Sequence, residues 1–172
     1  MSGEDYKRSR EGMRYYDVAA AFVLELGPVR SILEVGPYTT PFLSRFAETP
    51  VRMALDMHWL AQFPGVIGLQ GDFMSLRITQ FEVVCCLQVL EHVEDPARFA
   101  VRLLSAASRR LVVSVPFHWP AVAGIGHKHD CIDDQQMATW FGRGPDKRDV
   151  VGDAGCDRLV LVYDKPPVRS DR

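Results

Sequence analysis

Three acids stand at the ends of three successive apolar runs: Glu34 in "SILEV", Asp56 in "VRMALD" and Asp72 after "VIGLQG". Asp56 lies 22 residues beyond Glu34, close to the ~20-residue offset at which an acid accepts from a cofactor's ribose hydroxyls. A carboxylate suits that work because its two oxygens accept from two vicinal hydroxyls at once. Asp72 is placed to accept from an exocyclic amine such as that of adenine, and Glu34 from a ligand ammonium, directly or through water. The plainer alternative is that strand-end acids cap the elements that follow them. Three such acids at neighbouring strand ends repel one another unless a ligand rich in hydroxyls and amines orders them.

The turn after the first run, "EVGPYTTPFLSRF", begins like a nucleotide-binding turn, with an acid and then Gly36. Tyr38 and Thr40 stand where a second and third glycine are expected. A nicotinamide dinucleotide fits such a turn poorly, because those glycines admit the pyrophosphate. The second chemically suggestive stretch is the long loop from Pro116 to Ile132, "PFHWPAVAGIGHKHDCI", which carries His118, Trp119, His127 and His129. His127 and His129, with Asp130 and Cys131 beside them, are all zinc-ligating types. No second paired cluster occurs elsewhere in the sequence, so no metal site is expected. A simpler account has one histidine tethering the loop while another is solvated.

These residues need elements to hold them. "YYDVAAAFVLEL" (Tyr15 to Leu26) has helical spacing and stops at Gly27-Pro28. "SILEV", "VRMALDM", "VIGLQGD", "FEVVCCLQVL" and "RRLVVSVPF" read as five buried strands. Pro41 opens a helix with Phe42, Leu43 and Phe46 on its apolar side and Thr40 as its cap. Further helices run from about Pro96 to Ala107 and from about Asp133 to Trp140, the latter burying Ile132, Met137 and Trp140. "RDVV" (Arg148 to Val151) and "DRLVLVYD" then form an antiparallel pair through the Gly152–Gly155 turn. The expectation is an α/β fold: one doubly wound, mostly parallel sheet over residues 1–164, with an antiparallel last strand and a disordered tail over residues 165–172. Ligands in such sheets bind at the carboxyl ends of the strands, where strand order reverses.

The chain has 172 residues, 47% apolar, with a net charge of −2. That size suits one domain, and the charge gives no reason to expect nucleic acid or an anionic membrane as partner. Lys7, Arg8, Arg10 and Arg14 read as a solvated helix start. No run approaches the ~20 apolar residues of a membrane span, and the polar N-terminus lacks a secretory signal. Cys85 and Cys86 are strand neighbours that point to opposite faces, so reduced thiols in a cytoplasmic protein are expected. A late strand at the sheet edge would allow a homodimer.

Taken in order, "ILEVGPYTTPFLSRF", "ALDMHWL", "GDFMSL" and "FEVVCCLQVLEHVEDPARF" resemble the class I S-adenosylmethionine-dependent methyltransferases, in their small type 11-like branch. The resemblance spans about Ser31 to Phe117, and "QVLEHVEDPARF" is its most specific piece. It implies a Rossmann-like, seven-stranded sheet with S-adenosyl-L-methionine across strands one to four and a small-molecule methyl acceptor. Carried over, Glu34 and Gly36 face the methionine portion, Asp56 the ribose and Met57 the adenine. Asp72 and Phe73 are the adenine pair, and Gln88 again faces the methionine portion. His92 matches a motif histidine that is more often structural than chemical. The long loop would border the acceptor, making His118, His127 and His129 the catalytic candidates. Tyr38 and Thr40 depart from the family's glycine pattern. A modified site that still binds and a domain that kept the fold but lost the cofactor, serving as a binding or scaffolding module, are the two readings that follow.

Overall fold

The computed structural model describes residues 10, 12–58, 62–119, 126–129, 131–153 and 156–166. Seven strands form one sheet: β1 (Ser31–Val35), β2 (Val51–Asp56), β3 (Ile67–Gln70), β4 (Phe81–Leu87), β5 (Ala107–Pro116), β6 (Lys147–Asp153) and β7 (Cys156–Asp164). Their order is β3-β2-β1-β4-β5-β7-β6. β1 to β5 are parallel, whereas β7 runs antiparallel to both β5 and β6. The chain walks outward from β1 to β3, then returns to place β4 on the other side of β1. Strand order therefore reverses between β1 and β4.

Strand alternation assigns the side chains to two cores. Ile32, Val83, Cys85, Val112 and Val160 pack on one face with α1 (Arg14–Leu24) and the 3-10 segment Phe42–Phe46. Leu33, Val84, Cys86, Leu111 and Leu161 pack on the other with α2 (Pro96–Ala106) and α3 (Asp134–Phe141). Cys85 and Cys86 are thus buried free thiols on opposite faces, as adjacent strand residues must be. The expected helix over Tyr15–Leu26 and the strand "SILEV" are present, as is α3 with Ile132 and Met137 buried. Asp133 caps α3 by accepting from the Gln136 N–H at 2.8 Å.

Three expectations change. The segment after Pro41 is a 3-10 helix, not an α-helix, and Pro41 itself stands at its N-cap without a side-chain bond. Thr40 does not cap it: its buried hydroxyl donates back to the Pro37 carbonyl at 2.9 Å and closes the preceding turn. The late strand β7 is no sheet edge, because the terminal hairpin folds back and inserts β7 between β5 and β6. The edge is β6, where Lys147, Arg148 and Asp149 are exposed, a charged rim that discourages strand addition. Among the described residues no helix is long and apolar enough to cross a membrane. Lys7, Arg8, Asp130, Gly155 and residues 167–172 lie outside those described.

Candidate functional site

A hollow of about 900 Å³ opens above the carboxyl ends of β1, β2 and β4 and the turn after β3, at the strand-order reversal where ligands bind in such sheets. Gly36, Asp56, Met57, Asp72, Phe73 and Gln88 all face it. Six of the seven residues expected to hold a cofactor are therefore brought together.

The seventh, Glu34, lies just beneath. It is 2% exposed and is not among the lining residues. Burial, and then the neighbouring Asp56 carboxylate, hold its carboxyl well above the usual carboxylate range. Both influences favour its neutral form, which donates a hydrogen bond where the carboxylate only accepts.

Asp56 is 7% exposed, and both of its oxygens already bind the protein. One accepts from the Tyr38 N–H at 2.8 Å. The other accepts from the His58 N–H at 2.8 Å and lies 3.2 Å from His58 Nδ1. The carboxylate thus fixes the loops after β1 and β2 on either side of the mouth, and the oxygen bonded to Tyr38 keeps capacity for one more donor. Asp72 caps its own turn, accepting from Met74 N–H at 2.9 Å and from the Ser75 hydroxyl. The Ser75 hydroxyl, followed by the Met74 N–H, holds its carboxyl below the usual range. The capping account of the strand-end acids is thus realised here alongside a place on the cavity wall.

Backbone geometry at the mouth is unusual. Gly36 has φ 77°, and a Cβ there would meet Val89 Cγ2 at 2.5 Å. Tyr38 adopts the left-handed region at φ 51°, and Gln88 does so at φ 58°. The turn therefore keeps the shape a glycine would give it while carrying a tyrosine, at a cost of about 1–2 kcal/mol. Gln88 is fixed by Ser114, whose carbonyl accepts its N–H at 2.9 Å and whose hydroxyl accepts from Nε2 at 3.1 Å. Arg102, from α2, donates to the Phe73 and Leu76 carbonyls and places its guanidinium 5.0 Å from the Phe73 ring. The turn carrying Asp72 and Phe73 is thereby braced from below.

The three loop histidines do not converge. His118 lies against Phe117, ring centroids 4.0 Å apart, and its N–H donates to Ile132 at 2.9 Å. His129 donates from Nε2 to the Val93 carbonyl at 2.7 Å and rests on Trp140; it is the tether. His127 is half-buried rather than solvated, its ring 4.9 Å from that of His92. Burial, then the charges of His92, Arg158 and Arg10, bring its pKa down to about 4. Beside this pair stands Glu91, 1% exposed, with a carboxyl pushed up to about 8 chiefly by burial. Sequence reasoning missed Glu91, because an acid flanked by "VL" and "HV" in an apolar stretch gives no sign of which neighbours will surround it. It also gave His92 only a structural part.

A second hollow of about 910 Å³ opens at the opposite, amino-terminal rim of the sheet, lined in part by Glu82, Arg109 and Asp164. Its charges pair with one another, Arg109 with Glu82 at 3.2 Å and Arg110 with Asp164 at 2.6 Å. It contains none of the strand-end acids.

No protein-family model matches the chain. No curated protein matches it in sequence. Solved structures do match in fold. The N-methyltransferase NodS from Bradyrhizobium japonicum WM9, in complex with S-adenosyl-L-homocysteine, superposes with TM-score 0.70 at 15% identity, over 89% of this chain and 86% of that one. Magnesium protoporphyrin IX methyltransferase from Synechocystis PCC 6803, with the same compound bound, gives 0.67 at 15% identity, over 89% and 83%. The [4+2]-cyclase SpnF gives 0.69 at 14% identity, over 90% and 81%. With the strand order and the reversed seventh strand, these likenesses show that the chain has the Rossmann-like fold of the class I S-adenosylmethionine-dependent methyltransferases.

Proposed function

We infer that this chain binds S-adenosyl-L-methionine in the hollow above β1, β2 and β4 and transfers its methyl group to a small-molecule acceptor. The observation that carries the reading is the gathering of Gly36, Asp56, Met57, Asp72, Phe73 and Gln88 on one cavity of about 900 Å³, a size that encloses a ligand of this class. Asp56 would take a ribose hydroxyl on its remaining lone pair. Asp72, Phe73 and Met57 would hold the adenine, and Gly36, Gln88 and, from beneath the wall, Glu34 the methionine end. In the transfer, a lone pair of the acceptor forms the new bond to the methyl carbon as the carbon–sulfur bond breaks. The bonding pair stays on sulfur, which becomes a neutral thioether. An acceptor proton, where there is one, leaves to a base or to water. Positioning and water exclusion are then the protein's main contribution. His127 stands nearest the mouth-lining His92 and is the first choice among the loop histidines for the acceptor side.

Calorimetric titration with S-adenosylmethionine and S-adenosylhomocysteine should give saturable binding at one site per chain. Asp56→Ala should abolish it, and Asp56→Asn should weaken it while keeping the backbone contacts partly satisfied. A second reading rests on Tyr38 and Thr40, which stand where the family's glycines are expected, in a fold that also carries proteins named for other chemistry. Silence toward both ligands would select that reading, a fold retained for binding or scaffolding.

A further inference from the structure

We propose that Glu91, His92 and His127 form a binding site for a single divalent transition metal, zinc first, at the edge of the cavity. One ligand atom from each of the three lies within 4.8 Å of the others. A metal with ligands at ~2.1 Å needs them roughly 3.4 Å apart. The difference, at most about 1.4 Å, is within the reach of side-chain rotation.

The ligand atoms are prepared for the task. His92 Nδ1 donates to the Gly126 carbonyl at 3.0 Å, which leaves the lone pair on Nε2. That nitrogen is the atom 4.0 Å from Glu91 Oε1. A carbonyl that fixes the tautomer of a ligating imidazole is the usual outer partner of a metal-bound histidine. Glu91 Oε2 is buried with no hydrogen-bond partner among the described residues. An orphaned carboxyl oxygen is costly in such surroundings, and a bound cation that displaces the proton would satisfy it. Two imidazoles and one carboxylate suit zinc, cobalt, manganese or iron, and three protein ligands leave a coordination position open. Because His92 also lines the cavity, that position can be offered toward it. There it would hold an acceptor oxygen next to the methyl donor, a role that rests on the methyltransferase reading; the site itself does not. Of the described residues in the loop's own "HKHDC", His127 joins the cluster, while His129 is turned to Val93.

The test uses full-length, tag-free protein stripped with a chelator and titrated with cobalt(II), followed by its visible absorption, with zinc as competitor. One equivalent of cobalt should bind and be displaced by zinc. His127→Ala and Glu91→Gln should each weaken binding at least ~10-fold, with circular dichroism showing both variants folded. Cys131→Ser, next to the loop histidines, should bind as wild type does. Absence of cobalt binding, binding indifferent to both Glu91→Gln and His127→Ala, or loss of binding in Cys131→Ser would each overturn the proposal. Titration of the same samples with S-adenosylhomocysteine separates the two ideas. Nucleoside binding without cobalt binding ends the metal site alone, and the converse ends the methyltransferase reading alone.

Discussion

Tyr38 and Glu34 each hold an unfavourable state that the surrounding structure imposes. Tyr38 sits at φ 51° because its N–H is drawn onto Asp56, and only glycine takes that conformation without strain. Replacing it by alanine and by glycine removes the ring equally, so the two variants differ in backbone strain. Tyr38→Gly should be more stable than Tyr38→Ala by about 1 kcal/mol in urea unfolding; equal midpoints would show the turn to be unstrained. Glu34 has a folded-state pKa raised by burial and by Asp56. In the unfolded chain it ionises near 4.5, so above that pH the unfolded state loses a proton that the folded state keeps. Stability from this group therefore falls as pH rises from about 4.5 toward the raised folded value. Glu34→Gln should flatten that decline and be the more stable protein at pH 8. An unchanged pH profile of the melting temperature would contradict the burial argument.

Among the elements, α1 shows how far a local signal reaches. Its periodicity and its Gly27 stop are plain in the sequence. Its start is not, because the Met13 side chain at the N-cap does not cap the helix. Asp153, at the end of β6, supplies the missing acceptor, taking the Arg14 and Tyr15 N–H groups at 2.7 and 2.8 Å. A buried carboxylate bonded to a helix start in this way contributes roughly 1–2 kcal/mol. Asp153→Ala should lower stability by about that amount and speed amide exchange in the first turn of α1; protection unchanged there would assign the cap elsewhere. The 3-10 segment after Pro41 is the opposite case. Its apolar residues are readable, yet its helix type depends on Thr40 closing the turn on Pro37, which periodicity does not reveal.

Across the molecule the sheet is uneven. β4, β5 and β7 are covered on both faces, whereas all four residues of β3 are exposed, Ile67 at 54%. No helix crosses between β2 and β3 or between β3 and β4 among the described residues. Leu33→Ala in β1 should cost about 2–5 kcal/mol, while Ile67→Thr should stay within about 0.5 kcal/mol. A large loss at Ile67 would mean that the β3 rim is covered in solution. The loops on this thinly supported side carry Asp56, Met57, Asp72 and Phe73, so a bound nucleoside should tighten them. S-adenosylhomocysteine at roughly 100 times its Kd should add about 2.7 kcal/mol of stability, and Asp56→Ala should lose that gain.

Alternating apolar runs, strand-end acids and stop residues were enough to set out an α/β sheet with Gly36, Asp56 and Asp72 on its carboxyl rim, because strand period and chain direction put carboxyl ends on one rim whatever the partners; Met57, Phe73 and Gln88 came from the resemblance to methyltransferases. Four things lay beyond that reach: Glu34 sinking beneath the wall, Asp153 capping a helix 138 residues away in sequence, β7 inserting inside the sheet, and Glu91 meeting His127. Each depends on which distant groups share a low-dielectric space. Burial and long-range hydrogen bonding are decided by how the chain packs in three dimensions, and no local spacing encodes them.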